Sequence, residues 1–137
     1  MTAKRIEAVL RPGSVAVVGA SDTPGSIGEI LCRNLRDGGF KGPVFYVNPH
    51  HESIAGLPAY PSIRSLPQAV DLAIIATPPA TLPGVLEDCG VRGVRGAVIV
   101  SAGFREGGGE GAALERSMLQ VARRYGLRLL GPNSFGV

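Results

Sequence analysis

The residues best suited to chemistry in this sequence lie in the stretch VAVVGASDTPGSIG, residues 15–28. An apolar run ends there at a glycine, and further glycines precede a helical pattern, as in loops that bind phosphate through backbone N–H groups. The dinucleotide fingerprint G-x-G-x-x-G, counted from Gly19, requires glycine where this chain has Ser21 and Pro24. Only the first glycine fits, so the stretch indicates a phosphate-binding loop of a different kind.

The N–H groups of this loop are candidate phosphate donors. We expect those of Gly25, Ser26 and Ile27 to face a phosphate at the N-terminus of the following helix, where aligned amides and the helix dipole favour negative charge. The hydroxyl groups of Ser21 and Ser26 can add further donors. The alternative is an ordinary glycine-rich turn in which Ser26 only caps the helix.

A second apolar run ends in Asn48, Pro49 and His50, with His51 next. NAD sites place Asp or Glu near this point to bind the ribose hydroxyl groups, so this ending argues against NAD. Basic groups there are compatible with the 2′-phosphate of NADP. The alternative is that both histidines are plain exposed loop residues.

Thr77, Pro78 and Pro79 follow a third apolar run. The two proline rings form a rigid wall without N–H donors, which suits an uncharged chain such as pantetheine. The alternative is a helix start with proline in its first turn and Thr77 or Thr81 as the cap.

Two further apolar runs also end in small or polar residues. Ser101 begins the stretch SAGFREGGGEG, a loop rich enough in glycine to close over a ligand, with Arg105 either at a phosphate or in solvent. Asn133 follows the final run, where its amide can bond to a ligand or to the neighbouring loop.

The apolar runs themselves predict the fold. Five runs rich in apolar residues indicate buried parallel strands, and they span residues 14–19, 43–48, 71–77, 96–101 and 127–131. Helical stripes lie between most of them, and the first stripe consists of Ile27, Ile30, Leu31 and Leu35. The proline-rich segment 49–70 is predicted as turns with at most one helical turn. Right-handed crossovers then predict an α/β fold, a Rossmann-like doubly wound parallel five-stranded sheet in the order 3-2-1-4-5, with the ligand cleft at the carboxyl ends of the strands.

Length and composition limit the remaining classes. The chain of 137 residues is predicted to form one domain over residues 1–137. Its net charge of +3 comes from scattered Lys and Arg residues with few aromatic side chains, which argues against nucleic acid as a partner and suits a polyanionic small molecule.

Cys32 and Cys89 lack metal-binding spacing, so we interpret both as buried apolar residues and expect no metal. No run approaches the roughly 20 apolar residues that span a bilayer, and the N-terminus lacks a signal-peptide pattern, so we expect a cytoplasmic protein without membrane contact.

Taken together, VAVVGAS, PGSIG, VNP, SAGF and LGPNSFGV strongly resemble the coenzyme A-binding domain of NDP-forming acyl-CoA synthetases, akin to the amino-terminal part of the succinyl-CoA synthetase alpha subunit. The same module opens GNAT-type protein lysine acetyltransferases. The similarity covers essentially the whole chain. It implies coenzyme A (CoA) or acyl-CoA as the ligand, and the candidate binding residues are Gly19, Ala20, Ser21, Pro24, Gly25, Ser26, Ile27, Asn48, Pro49, His50, Thr77, Pro78, Pro79, Ser101, Ala102, Gly103 and Asn133.

The resemblance also implies a role for each segment. The loop from Gly19 to Ile27 binds the pyrophosphate and pantetheine region, and the segment after the second strand receives the adenosine 3′-phosphate end. Residues 77–79 and 101–103 line the pantetheine path, with Asn133 near the thiol end. One position departs from the family, which often has Lys or Arg where this chain has His50, and a neutral imidazole attracts a phosphate less strongly.

The resemblance further implies what this chain lacks. The synthetases pass phosphate through a histidine on a following domain and bind the nucleotide in an ATP-grasp domain, and neither fits within these 137 residues. We therefore expect no catalysis from the chain alone, and expect further domains or subunits of a synthetase or an acetyltransferase as partners. The alternatives are an NAD(P)-binding oxidoreductase domain and a sensing domain for another nucleotide.

Overall fold

The computed structural model of the chain describes residues 11–100 and 109–130. Within these residues the strands and α-helices are, in chain order, β1 (Val15–Val18), α1 (Ile27–Asp37), β2 (Val44–Val47), β3 (Ser53–Ile54), β4 (Leu57–Tyr60), β5 (Leu72–Ile75), α2 (Leu82–Arg92), β6 (Gly96–Ile99), α3 (Gly109–Tyr125) and β7 (Arg128–Leu130). Single turns of 3-10 helix lie at Ile63–Ser65 and Pro79–Thr81.

The sheet is parallel except at one edge. Its strand order is β3-β4-β2-β1-β5-β6-β7, and β3 and β4 form the antiparallel pair. All five predicted strands are present, and the predicted α/β, Rossmann-like class is confirmed. The carboxyl ends of β1, β2 and β5 therefore lie side by side, as the predicted cleft requires.

The predicted order 3-2-1-4-5 is wrong for the five strands that it named. β5, the third of them, pairs with β1 and places Leu72 opposite Val15. The position beside β2 belongs to β4, which comes from segment 49–70, predicted as turns. Pro58 is compatible with β4 because the neighbour on its other side is only the two-residue β3 at the sheet edge. The five predicted strands thus follow the order 2-1-3-4-5. The prediction for segment 49–70, turns with at most one helical turn, allows the turn at Ile63–Ser65 but missed the strands β3 and β4.

Apolar side chains cover both faces of the sheet. Val15 and Val17 of β1 pack with Cys32 of α1, whereas Ala16 and Val18 belong to a second cluster with residues of α2 and α3. Helices on both faces explain why the strands read as continuous apolar runs. No helix in the described part of the chain is long and apolar enough to cross a membrane.

Both cysteines are free thiols in the core. Cys32 and Cys89 are buried, and neither forms a disulfide. Burial raises the pKa of both thiols, that of Cys89 to about 12, because desolvation disfavours the thiolate. The interpretation of both residues as small buried apolar groups is confirmed.

The predicted stripe on α1 is only partly correct. Leu31 and Leu35 pack on the core, but Ile27 is 50% exposed and Ile30 is 36% exposed. The buried residues of the helix are Gly28 and Cys32. The helix therefore presents its glycine to the end of β1, and this orientation turns the two isoleucines outward.

Candidate functional site

Three predicted site segments begin at neighbouring strand ends. Gly19, Asn48 and Thr77 follow β1, β2 and β5, which lie next to one another in the sheet. The N–H of Gly19 donates to the carbonyl oxygen of Val47 at 2.9 Å, so the first loop is fixed to the second strand. The predicted residues Ser101, Ala102, Gly103 and Asn133 lie outside the described residues.

Three glycines shape the loop between β1 and α1, each for a different steric reason. Gly19 turns the chain out of β1 with a φ of 91°, and a Cβ there would lie 2.9 Å from the carbonyl oxygen of Ala76. Gly25 has a φ of 84°, and a Cβ added to it would meet no atom within 4 Å beyond its chain neighbours, so its backbone is open to close approach. A Cβ on Gly28 would overlap the carbonyl oxygen of Gly19, so this glycine lets α1 pack against the end of β1. The steric properties of these glycines correspond to those of the dinucleotide fingerprint, at a longer spacing, and approach of a phosphate to Gly25 stays a prediction.

The polar groups of the loop bond largely to the loop itself. The Ser26 hydroxyl accepts from the N–H of Glu29 at 3.2 Å and donates to the carbonyl oxygen of Thr23 at 2.8 Å. The N–H of Ser26 also donates to Thr23 O, at 3.2 Å, and the Ser21 hydroxyl accepts from the N–H of Thr23 at 2.9 Å. The capping role of Ser26, given above as the alternative, is confirmed. A phosphate-binding role for these residues stays a prediction.

The N–H of Gly25 has a negatively charged partner. It donates to Oε1 of Glu29 at 3.3 Å, and the other carboxylate oxygen of Glu29 lies 3.5 Å from Nη1 of Arg33. The Glu29 side chain is 16% exposed, so the carboxylate is largely withdrawn from solvent. A backbone donor predicted to face a phosphate thus already binds an anionic oxygen.

Asn48 holds two loops together. Its side-chain amide donates to the carbonyl oxygen of Ala20 at 2.9 Å, and its Oδ1 accepts from the N–H of His50 at 2.8 Å. These bonds fix the end of β2 to the first loop, so Asn48 positions both segments. Pro49 and His50 are exposed, as is His51, which agrees with the interpretation of the histidines as exposed loop residues.

Thr77 marks the transition from β5 to the turn before α2. The hydroxyl oxygen of Thr81 lies 2.7 Å from that of Thr77 and 2.6 Å from the carbonyl oxygen of Pro78. The Thr81 side chain makes no capping bond to α2. These contacts hold Pro78 and Pro79 in a fixed turn beside the end of β5, as a rigid wall requires.

An open pocket of about 180 Å³ lies at the carboxyl ends of these strands. Its lining combines three predicted residues, Gly19, Pro49 and Thr77, with residues 61–63 and Val85. Asp88 of α2 and Thr81, which directly precedes α2, also line the pocket. Val18, Val47 and other apolar residues line much of it, so the pocket is mainly apolar with a few polar groups.

Two guanidinium groups hold one wall of this pocket against α2. Nε of Arg64 lies 2.5 Å from Oδ1 of Asp88, and the hydrogen bond to Asp88 raises the pKa of Arg64. Nη2 of Arg92 donates to the carbonyl oxygen of Leu66 at 2.6 Å. Both bonds link α2 to the segment that follows residues 61–63 of the pocket lining.

Sequence reasoning missed several of these residues. The sequence does indicate a packing role for Gly28, because a glycine directly inside a helical pattern lowers helix stability and usually has a packing or functional reason. Glu29, three residues after a capping serine, also matches the capping-box pattern. Val85 and Asp88 had no local signal in the sequence, because their place in the pocket depends on how α2 packs beside residues 61–63.

Among the described residues, no group of three or more His, Cys, Asp or Glu side chains is arranged to hold a metal ion.

Comparison with known proteins gives related chains of greater length. The chain is 48% identical over 132 residues to ADP-forming acetate–CoA ligase I of Archaeoglobus fulgidus, covering 96% of this chain and 19% of that protein. It is 43% identical to the alpha subunit of ADP-forming acetate–CoA ligase I of Pyrococcus furiosus, covering 96% of this chain and 29% of the subunit.

A solved structure of a similarly named protein also resembles this chain. The apo form of the dinucleotide-forming acetyl-coenzyme A synthetase 1 of Candidatus Korarchaeum cryptofilum matches with a TM-score of 0.86 and 42% identity, over 93% of this chain and 28% of that chain. This chain thus spans less than a third of the length of these relatives. Residues 13–137 also match a sequence family described as the CoA binding domain. The chain belongs to this family of CoA-binding domains, in the branch found in ADP-forming acyl-CoA synthetases.

Proposed function

We propose that this domain binds coenzyme A or acyl-CoA as part of an ADP-forming acyl-CoA synthetase. The observation that carries the proposal is the position of Gly19, which begins the glycine loop and also lines the apolar pocket. The glycine loop and the mainly apolar pocket are therefore contiguous, which suits a ligand with a phosphate beside an aromatic ring. CoA combines these two chemistries, since a diphosphate joins its adenosine to its pantetheine chain.

The loop is the proposed site of the diphosphate. Gly25 has open space on the side where other residues carry a Cβ, and its N–H already binds a carboxylate oxygen in the free domain. The N-terminus of α1 adds the positive end of a helix dipole at the same place. The domain corresponds to residues 1–137 in this proposal, and the described part supplies the loop in full.

The pocket is the proposed site of the adenine ring. Its volume of about 180 Å³ is smaller than the roughly 300 Å³ at which sites for whole drug-sized ligands begin, so it suits one ring of a larger ligand. Pro49, Ile63 and Val85 provide apolar surface, and Ser62 and Asp88 offer polar groups at the margin. The pantetheine chain then passes along Thr77, Pro78 and Pro79, whereas the assignment of residues 101–103 and Asn133 to the same path rests on the family resemblance alone.

The arrangement at β2 supports CoA over a nicotinamide cofactor. NAD sites use an acidic side chain near this strand end to bind the ribose hydroxyl groups. Here Asn48 occupies that place, and both ends of its side chain bond to Ala20 and His50 of the protein itself. This strand end therefore lacks the acidic side chain that an NAD-binding oxidoreductase domain would use to bind the ribose.

Ligand-dependent stabilisation tests the proposal. We expect CoA to raise the melting temperature of the 137-residue chain by several degrees at about a hundredfold excess over its dissociation constant, because a ligand that binds only the folded state stabilises it. Differential scanning fluorimetry with CoA, acetyl-CoA, NAD and NADP provides the measurement. Stabilisation by NAD or NADP in the absence of any response to CoA would contradict the proposal.

A second expectation concerns catalysis, which we assign to other parts of the parent protein. We expect the purified chain to form no acyl-CoA from carboxylic acid, ATP and CoA, because ligation needs a phosphoryl carrier and a metal–nucleotide site. The relatives with ligase names are more than three times longer than the segment they share with this chain. A coupled assay for ADP release, with heat-denatured protein as the control, measures this. Turnover above that control contradicts the assignment of catalysis to other domains.

A further inference from the structure

Glu29 lies where a bound phosphate would have to compete with it. Its Oε1 accepts the N–H of Gly25 at 3.3 Å, and Gly25 belongs to the proposed diphosphate loop. The side chain is 16% exposed, and its second oxygen lies 3.5 Å from Nη1 of Arg33. Its own N–H donates to the capping hydroxyl of Ser26, which fixes the start of the side chain beside the loop.

A carboxylate and a phosphate cannot share this donor without repulsion. Both are anions, and both accept from the same N–H group. The Glu29 side chain is only 16% exposed, so its repulsion of a phosphate is screened less than that between two fully exposed charges. A capping glutamate normally stabilises a helix N-terminus by the same interaction that a phosphate would make there. The feature that stabilises the free loop therefore opposes the ligand.

We propose that Glu29 is an internal competitor for the diphosphate position and thereby a specificity-determining residue of this domain. This inference rests on the proposed function. In the free domain the Glu29 carboxylate occupies the N–H of Gly25, and a diphosphate binds only after this carboxylate turns away. Small oxyanions gain little beyond the loop and therefore bind weakly. A ligand that also fills the pocket beside Gly19 gains enough additional contact to displace the carboxylate.

The helix surface provides a place for the displaced side chain. Arg33 lies one turn further along α1 and already contacts Oε2 of Glu29. The Arg33 side chain is 50% exposed, so it can follow the carboxylate outward without burial of charge. Rotation of Glu29 towards Arg33 keeps an i,i+4 ion pair while it releases the N–H of Gly25.

Neutral substitution of Glu29 tests the competition. We expect Glu29→Gln to bind inorganic pyrophosphate about fivefold more tightly than wild type, and CoA more tightly by a smaller factor, because a neutral amide does not repel the oxyanion. Glu29→Ala, which removes the acceptor altogether, should act in the same direction. Isothermal titration calorimetry gives both affinities, and the ¹⁵N–¹H resonance of Gly25 reports directly on its donor. Circular dichroism confirms that each variant is folded.

Asp22→Asn is the matched control. It removes one negative charge from the same loop, and Asp22 is exposed, whereas Glu29 contacts Gly25. An equal gain in pyrophosphate affinity in Asp22→Asn and Glu29→Gln would show that only net charge matters, and this would overturn the inference. Unchanged pyrophosphate affinity in Glu29→Gln, or no pyrophosphate binding by any variant, would overturn it as well. Failure of wild type to bind CoA would instead overturn the proposed function, while tighter pyrophosphate binding by Glu29→Gln alone would still support the competition.

Discussion

Gly28→Ala is expected to destabilise the domain by about 3 kcal/mol or more, at the upper end of the range for single substitutions that overpack a core. The added Cβ would overlap the carbonyl oxygen of Gly19 and approach the backbone nitrogen of Ser21 to 3.2 Å. All of these atoms belong to the backbone, so no side chain can rotate to make room. The first turn of α1 would have to move away from β1, and the loop between them would change its shape.

Gly84→Ala provides the matched control, because Gly84 also lies in the first turn of a helix but has nothing within 4 Å of a Cβ position. We expect this variant to be as stable as wild type or up to about 1 kcal/mol more stable, since alanine is the better helix former. Urea denaturation followed by circular dichroism measures both variants. Equal stability of the two variants would show that Gly28 does not hold α1 against β1.

The parts of the fold that follow from local patterns were predictable from the sequence. Continuous apolar runs identified β1, β2, β5, β6 and β7, and proline and glycine marked many of their ends. β4 escaped prediction because Pro58 reads as a strand breaker, and only the tertiary context shows that its neighbour on that side is a two-residue strand. Missing β4 also caused the error in strand order, because β5 was then placed beside β2 instead of β1.

The candidate site was predictable to a similar extent. Gly19, Asn48 and Thr77 lie at neighbouring strand ends, as expected, because parallel strands bring their carboxyl ends to one edge, whereas their binding role stays a prediction. Which polar groups bond to each other was not predictable, since Asn48 reaches Ala20 across 28 positions of sequence. The contact between Arg64 and Asp88 joins the 3-10 turn beside the pocket to α2. No sequence spacing encodes such a contact between separate elements.

Gly25→Val is expected to weaken CoA binding at least about tenfold, equivalent to about 1.4 kcal/mol, while the domain stays folded. The isopropyl group would enter the open space beside the Gly25 backbone, which is the space that the proposed diphosphate needs. A side chain at a φ of 84° also carries a backbone strain of about 1–2 kcal/mol, which lowers the stability of the variant. Binding and stability must therefore be measured separately, by titration calorimetry with CoA and by thermal denaturation without ligand.

Gly39→Val separates the two effects, because Gly39 matches Gly25 in both respects that determine the strain. Its φ is 81°, and no atom beyond its chain neighbours lies within 4 Å of its Cβ position. It follows the C-terminal end of α1, whereas Gly25 precedes the N-terminal end, so its side chain would lie far from the proposed diphosphate. We expect the two variants to lose similar stability and only Gly25→Val to lose affinity for CoA. Wild-type affinity in a folded Gly25→Val variant would make the loop an ordinary turn, because a backbone that approaches a diphosphate closely cannot accommodate a branched side chain at that point.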